Sequence, residues 1–106
     1  MRPVLHGDVV TAARALCAAP AAGRAGLAAR LLMEAGAADA YRRHTGRRHP
    51  AWGDGTLQAA AARRPLAPEP RLDDPVYAEC MMLVFEALVA GGPGGRASPR
   101  RNSRSG

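Results

Sequence analysis

Five side chains in this 106-residue chain are of the types that ligate metals or pair as nucleophile and base: His6, His44, His49, Cys17 and Cys80. None forms a ligand pair spaced for one turn or one helix face. His44 and His49 are separated by Gly46, with Pro50 following, so they do not share a helical surface. Serine chemistry is confined to Ser98, Ser103 and Ser105, at the far end of the chain. A cysteine with a histidine base is the remaining nucleophilic arrangement. Both cysteines, however, fall on apolar helical stripes, where a thiol behaves as a small buried hydrophobe. Asp73 and Asp74 are adjacent carboxylates, but Asp74 precedes Pro75 and reads as a helix cap. The residues thus assign no catalytic group, no metal ligand and no cofactor, and the expectation is a non-enzymatic protein.

Two other segments have the chemistry of ligand binding. Gly53-Asp54-Gly55-Thr56 is a glycine-rich turn opening onto a helix, and helix starts can hold anions. It lacks the strand and lysine of a phosphate-binding loop, and Asp54 would repel a phosphate. A tight turn with an N-cap, Trp52 packed beneath it, is the plainer reading. The stretch from Tyr41 to Trp52 carries Arg42, Arg43, Arg47 and Arg48 among two histidines, bracketed by aromatics. Such a cluster can contact phosphates while a ring stacks on a base. Positive charge at a helix end also complements the helix dipole, and no recognition-helix arrangement accompanies it. Nucleic acid is therefore the alternative partner rather than the favoured one.

The net charge of +6 supports that ranking. All 15 basic residues are arginine, and the absence of lysine and isoleucine beside 24 alanines is what a GC-rich coding sequence produces. Four arginines, Arg96, Arg100, Arg101 and Arg104, lie beyond residue 90, where the text is rich in Gly, Ser and Pro without hydrophobic periodicity. That stretch, 91–106, is expected to be a disordered tail. Residues 1–90 then hold 11 arginines against 9 acids and are close to neutral.

The elements that must position these groups are helical. A first helix is expected from an Asp8 cap to about Ala19, stopped by Pro20, with Val9, Val10, Ala13, Leu16 and Cys17 on one face. A second spans roughly Arg24 to Thr45 and ends at Gly46, with Leu27, Leu31, Ala35, Ala38 and Tyr41 as its stripe. Arg30 with Glu34, and Asp39 with Arg43, are spaced to pair along it. A short third helix, about Thr56 to Arg64, is capped by Asp54 or Thr56 and anchored by Leu57. Four prolines between Pro65 and Pro75 make the next connection extended. Asp74-Pro75 starts a fourth helix that runs to about Ala90. The first, second and fourth helices should form the core, with Trp52 and Leu57 closing one end.

The fourth helix is apolar around most of its circumference, with Glu79 and Glu86 its only polar strip. Such a helix is either the centre of the bundle or part of an interface. With 24 alanines among the 47% hydrophobic residues, the other helices have little large apolar surface to cover it. Met81, Met82, Phe85 and Val89 are the candidate contact residues, since methionine-rich surfaces adapt to partners. The longest run of large apolar residues, Cys80 to Phe85, is far short of the ~20 residues that span a bilayer. Neither a signal-peptide core nor a cysteine framework is present, which points to the cytoplasm.

The segments MRPVLHGDVVTAARAL, HPAWGDGTLQAAA and LAPEPRLDDPVYAECMMLVFEAL resemble a family of short uncharacterised proteins from GC-rich alphaproteobacteria, a domain of unknown function. The likeness covers roughly residues 1–90 and leaves the tail outside. It implies a bacterial, cytoplasmic, self-contained domain and carries over no catalytic or binding residue. The combined reading is an all-α protein, a small bundle of about four helices with a disordered C-terminal tail. Its expected role is a protein-interaction or regulatory module whose partner is an unidentified protein or a second copy, with no membrane and no cofactor.

Overall fold

The computed structural model describes residues 1–91. The 92–106 stretch, and with it the expected tail, lies outside the described residues. Four α-helices follow in order: α1 (His6–Ala18), α2 (Arg24–Thr45), α3 (Leu57–Ala62) and α4 (Pro75–Val89), with a 3-10 turn at Ala21–Gly23 between the first two. Among the described residues there is no strand, only an isolated bridge between His49 and Gly53. The fold is all-α.

Alanine decides how the helices meet. Because its side chain is a single methyl group, helices studded with it approach closely, and α1 is enclosed on most of its surface. Ala12, Ala13, Ala15 and Leu16 are 2% exposed or less, and even the polar Thr11 is buried. The most enclosed helix is therefore α1 rather than α4. Leu31 and Leu32 of α2, Leu57 of α3 and Tyr77, Cys80 and Val84 of α4 supply the larger side chains of the core. The short α3 is fixed by the same means: Ala60 and Ala61 are fully buried against α1 and α2.

Polar side chains then fix the ends. Asp8 is not the cap of α1; the helix begins one turn earlier, after Leu5, and Asp8 sits inside its first turn. One carboxylate oxygen accepts the N–H of Leu5 at 2.7 Å, and the other accepts the N–H of Gln58 in the first turn of α3 at 2.9 Å. A buried acid thus satisfies donors at two helix starts, where helix dipoles favour negative charge. Arg24 does the converse at the end of α1, its guanidinium donating to the carbonyls of Leu16, Cys17 and Ala19. Thr56 caps α3 by accepting from Ala59, and Asp74 caps α4 by accepting from Val76 and Tyr77. The proline-rich connection lies along α1, tied by reciprocal bonds between Arg14 and Ala67.

Tertiary pairing overrides one expected ion pair. Glu34, buried on α2, binds Arg64 just beyond α3 at 2.5 Å, while Arg30 stays exposed. A buried carboxylate needs a partner, and the guanidinium arriving from α3 displaces the solvent-screened neighbour one turn away.

The turn before α3 packs on α2 so closely that only glycine fits. Gly55 has φ +95°, and a Cβ there would lie 2.8 Å from both Cα and Cβ of Asp39. Gly46 also has positive φ, +75°, but faces open space. Gly46→Ala should therefore cost only the left-handed backbone penalty of about 1–2 kcal/mol. Gly55→Ala should lose about 3 kcal/mol or more, because overpacking is added. Urea unfolding of both variants checks this, and equal losses would remove the steric argument.

Candidate functional site

Two surfaces contain the residues singled out from the sequence. The first is the outer side of α4. Its inner side, Tyr77, Cys80 and Val84, is buried against α1 and α2, with Leu83, Ala87 and Leu88 partly covered. Met82, Phe85 and Val89 are 59%, 49% and 78% exposed. With Glu86 and Ala90 they line a shallow groove of about 430 Å³. Met81, the fourth candidate contact residue, is partly buried against the core instead. It lies a quarter-turn from Met82 around the helix, on the side that faces inward. Ala78, exposed and one turn before Met82, completes the outer ridge; its small side chain gave no signal in the sequence. Glu79 and Glu86 form an acidic edge beside that ridge.

The second surface is the basic cluster, and the structure divides it. Arg42 and Arg43 both turn toward Asp39, at 2.9 and 3.5 Å, where the amino group of Met1 also lies at 3.4 Å. Burial raises the carboxyl pKa of Asp39, but the Arg42 hydrogen bond, the amino group and Arg43 outweigh it and leave the pKa below the ordinary value. Arg47 and Arg48 are exposed. Beside them Tyr41 meets the His49 ring edge-on, and Trp52 stacks on that ring at 4.8 Å. The ring partner of Trp52 is therefore His49, whose backbone pairs with Gly53 at the start of the glycine turn. The Nδ1 of His49 accepts the N–H groups of Ala51 and Trp52, so this imidazole is a structural acceptor that folds the loop.

At the glycine turn, Asp54 accepts from both the N–H and hydroxyl of Thr56, with Arg2 3.6 Å away. The hydroxyl bond chiefly lowers its pKa, and burial opposes this. The anion position at the start of α3 is thus filled by the chain's own carboxylate. Among the described residues no three His, Cys, Asp or Glu side chains converge as a metal site. No helix there is long and apolar enough to cross a membrane.

Cys17 of α1 and Cys80 of α4 are both free thiols, and their sulfurs lie 3.4 Å apart. Burial, reinforced by the hydrogen bond with Cys17, pushes the Cys80 thiol up to about 11. The stripes placed each cysteine on a core-facing side; which helices would meet there was not legible, because pairing of helix faces is a tertiary property.

Residues 2–88 match a protein family described as a domain of unknown function, DUF7742. The chain belongs to that family. The match takes in the first three helices of this DUF7742 domain and all but the last residue of α4. No curated protein and no solved structure matches the chain.

Because the folded pKa values of Asp39 and Asp54 are lowered, both groups contribute stability above their unfolded value near 3.8. That contribution is lost as pH falls through the lower folded values. Asp39→Asn should destabilise the domain by about 2 kcal/mol at neutral pH, the scale of a charge-assisted hydrogen bond. The deficit should shrink progressively below pH ~3.8. Thermal unfolding of both proteins across pH 2.5–7 (roughly one unit either side of the carboxylate range and beyond) reads the difference. A deficit independent of pH would assign Asp39 a packing role alone.

Proposed function

We propose that this domain is a non-enzymatic protein-interaction module, acting in a bacterial cytoplasm, whose contact surface is the outer ridge of α4. The observation that carries the reading is that Met82, Phe85 and Val89 stand out from the fold on one side of a helix whose opposite side is already packed. Leaving three large apolar side chains together in water costs solubility unless something covers them.

The occupant we assign is a second copy of the chain. Ala78, Met82, Phe85 and Val89 follow the 4-3-4 spacing of a helix–helix seam. About a two-fold axis between Met82 and Phe85, Met82 packs on Phe85 of the second copy and Ala78 on Val89 of the second copy. Large thus meets large and small meets intermediate, which makes the face self-complementary. The ridge is narrower than the ~800 Å² per partner of a standard stable interface, so the association is weak and reversible. The same antiparallel pairing brings Glu86 near Glu79 of the second copy, a like-charge contact of a few tenths of a kcal/mol that salt screens.

A second reading, as a small nucleic-acid-associated protein, draws on Arg47 and Arg48 beside the cluster of Tyr41, His49 and Trp52. It is weakened by the commitment of Arg42 and Arg43 to Asp39. The two readings differ in their response to salt. Self-association through α4 should persist or tighten as salt rises, whereas phosphate contacts weaken steeply.

Sedimentation from micromolar to about 0.5 mM, at low and high salt, should show a concentration-dependent dimer. Met82→Glu should weaken it at least ~10-fold, about 1.4 kcal/mol, without lowering the thermal midpoint, because Met82 lies outside the core. A monomer throughout that range would sink the self-association. Salt-sensitive binding of a single-stranded oligonucleotide that is lost in Arg47→Ala/Arg48→Ala would then favour the second reading.

A further inference from the structure

Neither reading of the surface uses the contact between Cys17 and Cys80. Their sulfurs are 3.4 Å apart, within hydrogen-bonding range for thiols and about 1.4 Å beyond a disulfide bond length. The two residues are 63 positions apart in the chain and are brought together by the packing of α1 on α4. The two thiols are not equivalent. Cys80 is fully buried, whereas Cys17 is only partly covered, near the last turn of α1. An oxidant arriving from solvent therefore meets Cys17 first and finds a second thiol directly behind it. That is the arrangement of a reactive cysteine with a resolving neighbour.

We propose that Cys17 and Cys80 form a reversible oxidation site, at which hydrogen peroxide or an alkyl hydroperoxide converts the dithiol into a disulfide joining α1 to α4. In the first step the Cys17 sulfur, as thiolate, attacks one peroxide oxygen. An S–O bond forms, the O–O bond breaks, and hydroxide (or alkoxide) leaves and takes up the proton released by the thiol. In the second step the Cys80 sulfur attacks the sulfur of the Cys17 sulfenic acid. The S–S bond forms, the S–O bond breaks, and the departing hydroxide takes up the Cys80 proton as water. Two electrons pass from the thiols to the peroxide, which with hydrogen peroxide ends as two waters. An external dithiol returns the site to its reduced form by thiol–disulfide exchange.

Burial gives the second step its selectivity. The high Cys80 pKa keeps that group a thiol toward solvent, so it reacts only with the sulfur in contact with it. The resulting bond closes a long stretch of chain, which restricts the unfolded state and should raise the thermal midpoint. The bond would also fasten the inner side of α4, the helix that presents Met82, Phe85 and Val89, to the enclosed α1.

The test uses the full chain, treated with hydrogen peroxide and read by intact mass and by peptide mapping without reductant. The expected product has lost two hydrogen masses, resists thiol alkylation, contains a peptide pair joining Cys17 to Cys80, and reverts with dithiothreitol. Its thermal midpoint should exceed that of the reduced protein by several degrees, the scale set by the chain-entropy effect of a long loop. In Cys80→Ala, Cys17 should instead gain one oxygen mass and react with a sulfenic-acid probe. In Cys17→Ala, Cys80 should remain a free thiol over the same interval. Any of three outcomes with the native chain would overturn the proposal: two unmodified thiols, over-oxidation of Cys17 without a bond to Cys80, or a disulfide between chains. The wild-type result alone decides, so the proposal stays testable if a cysteine variant folds poorly.

Discussion

The fold depends on one buried carboxylate that serves two helices. Asp8 accepts from Leu5 at the head of α1 and from Gln58 at the head of α3, and so fixes the angle at which the short helix enters the bundle. A six-residue helix has too few internal hydrogen bonds to persist in water on its own. It exists here because its start is bonded to Asp8, its cap to Thr56, its two inner alanines to the core, and its exit to Glu34 through Arg64. With α3 in place, α1 is covered on that side, and the glycine turn before it can settle on Asp39. The remaining helices then pack around a centre made largely of methyl groups.

That centre explains why the surface of α4 is the way it is. An alanine-rich core lets helices approach closely but supplies little apolar area per residue. Tyr77, Cys80 and Val84 fill the narrow space between α1 and α2, and no further layer of large side chains remains to cover the other side. Met82, Phe85 and Val89 are thus left exposed by a shortage of covering residues, on a helix whose composition would suit burial all round. The same close approach of small residues brings the two thiols into contact: a larger side chain at either position would hold α1 and α4 apart. The exposed ridge and the thiol pair are consequences of one packing constraint, read on opposite sides of the same helix.

Much of this was legible in the chain, and the illegible parts share a cause. The bounds of α2 and the Asp74-Pro75 start of α4 follow from local chemistry, a glycine stop and a cap followed by proline; for α3 the same rules narrowed the cap to Asp54 or Thr56, and the structure selects Thr56. Local rules failed wherever a partner came from far along the sequence. Asp8 looks like an N-cap because it precedes an apolar stripe; its second bond, to Gln58, is invisible until α3 is docked. Glu34 is spaced to pair with Arg30, yet burial delivers it to Arg64. Arg42 and Arg43 look like free charge at a helix end, but Asp39, three and four residues earlier, pairs with both, partly covering Arg42 while Arg43 stays exposed. The stacking of Trp52 on the ring of His49 was likewise not legible, because it depends on how the loop folds back.

The candidate surfaces divide along the same line. Three of the four α4 residues singled out by the over-apolar pattern are exposed, because a helix with apolar residues all round must leave some uncovered when its neighbours are small. Met81 is the exception, and its neighbour Met82 shows why: one residue is 100° of rotation, enough to move a side chain from the ridge to the packed flank. Pattern counting can say that a helix has too many apolar residues, but only the docked geometry says which of them face outward. For the basic cluster the charge is reduced, since half of its arginines pair with one acid, although Arg43 stays exposed. Charge counted along a sequence overstates what a surface presents wherever a buried carboxylate is within a helical turn, and that is why the α4 ridge, whose exposure no neighbouring residue cancels, carries the functional reading.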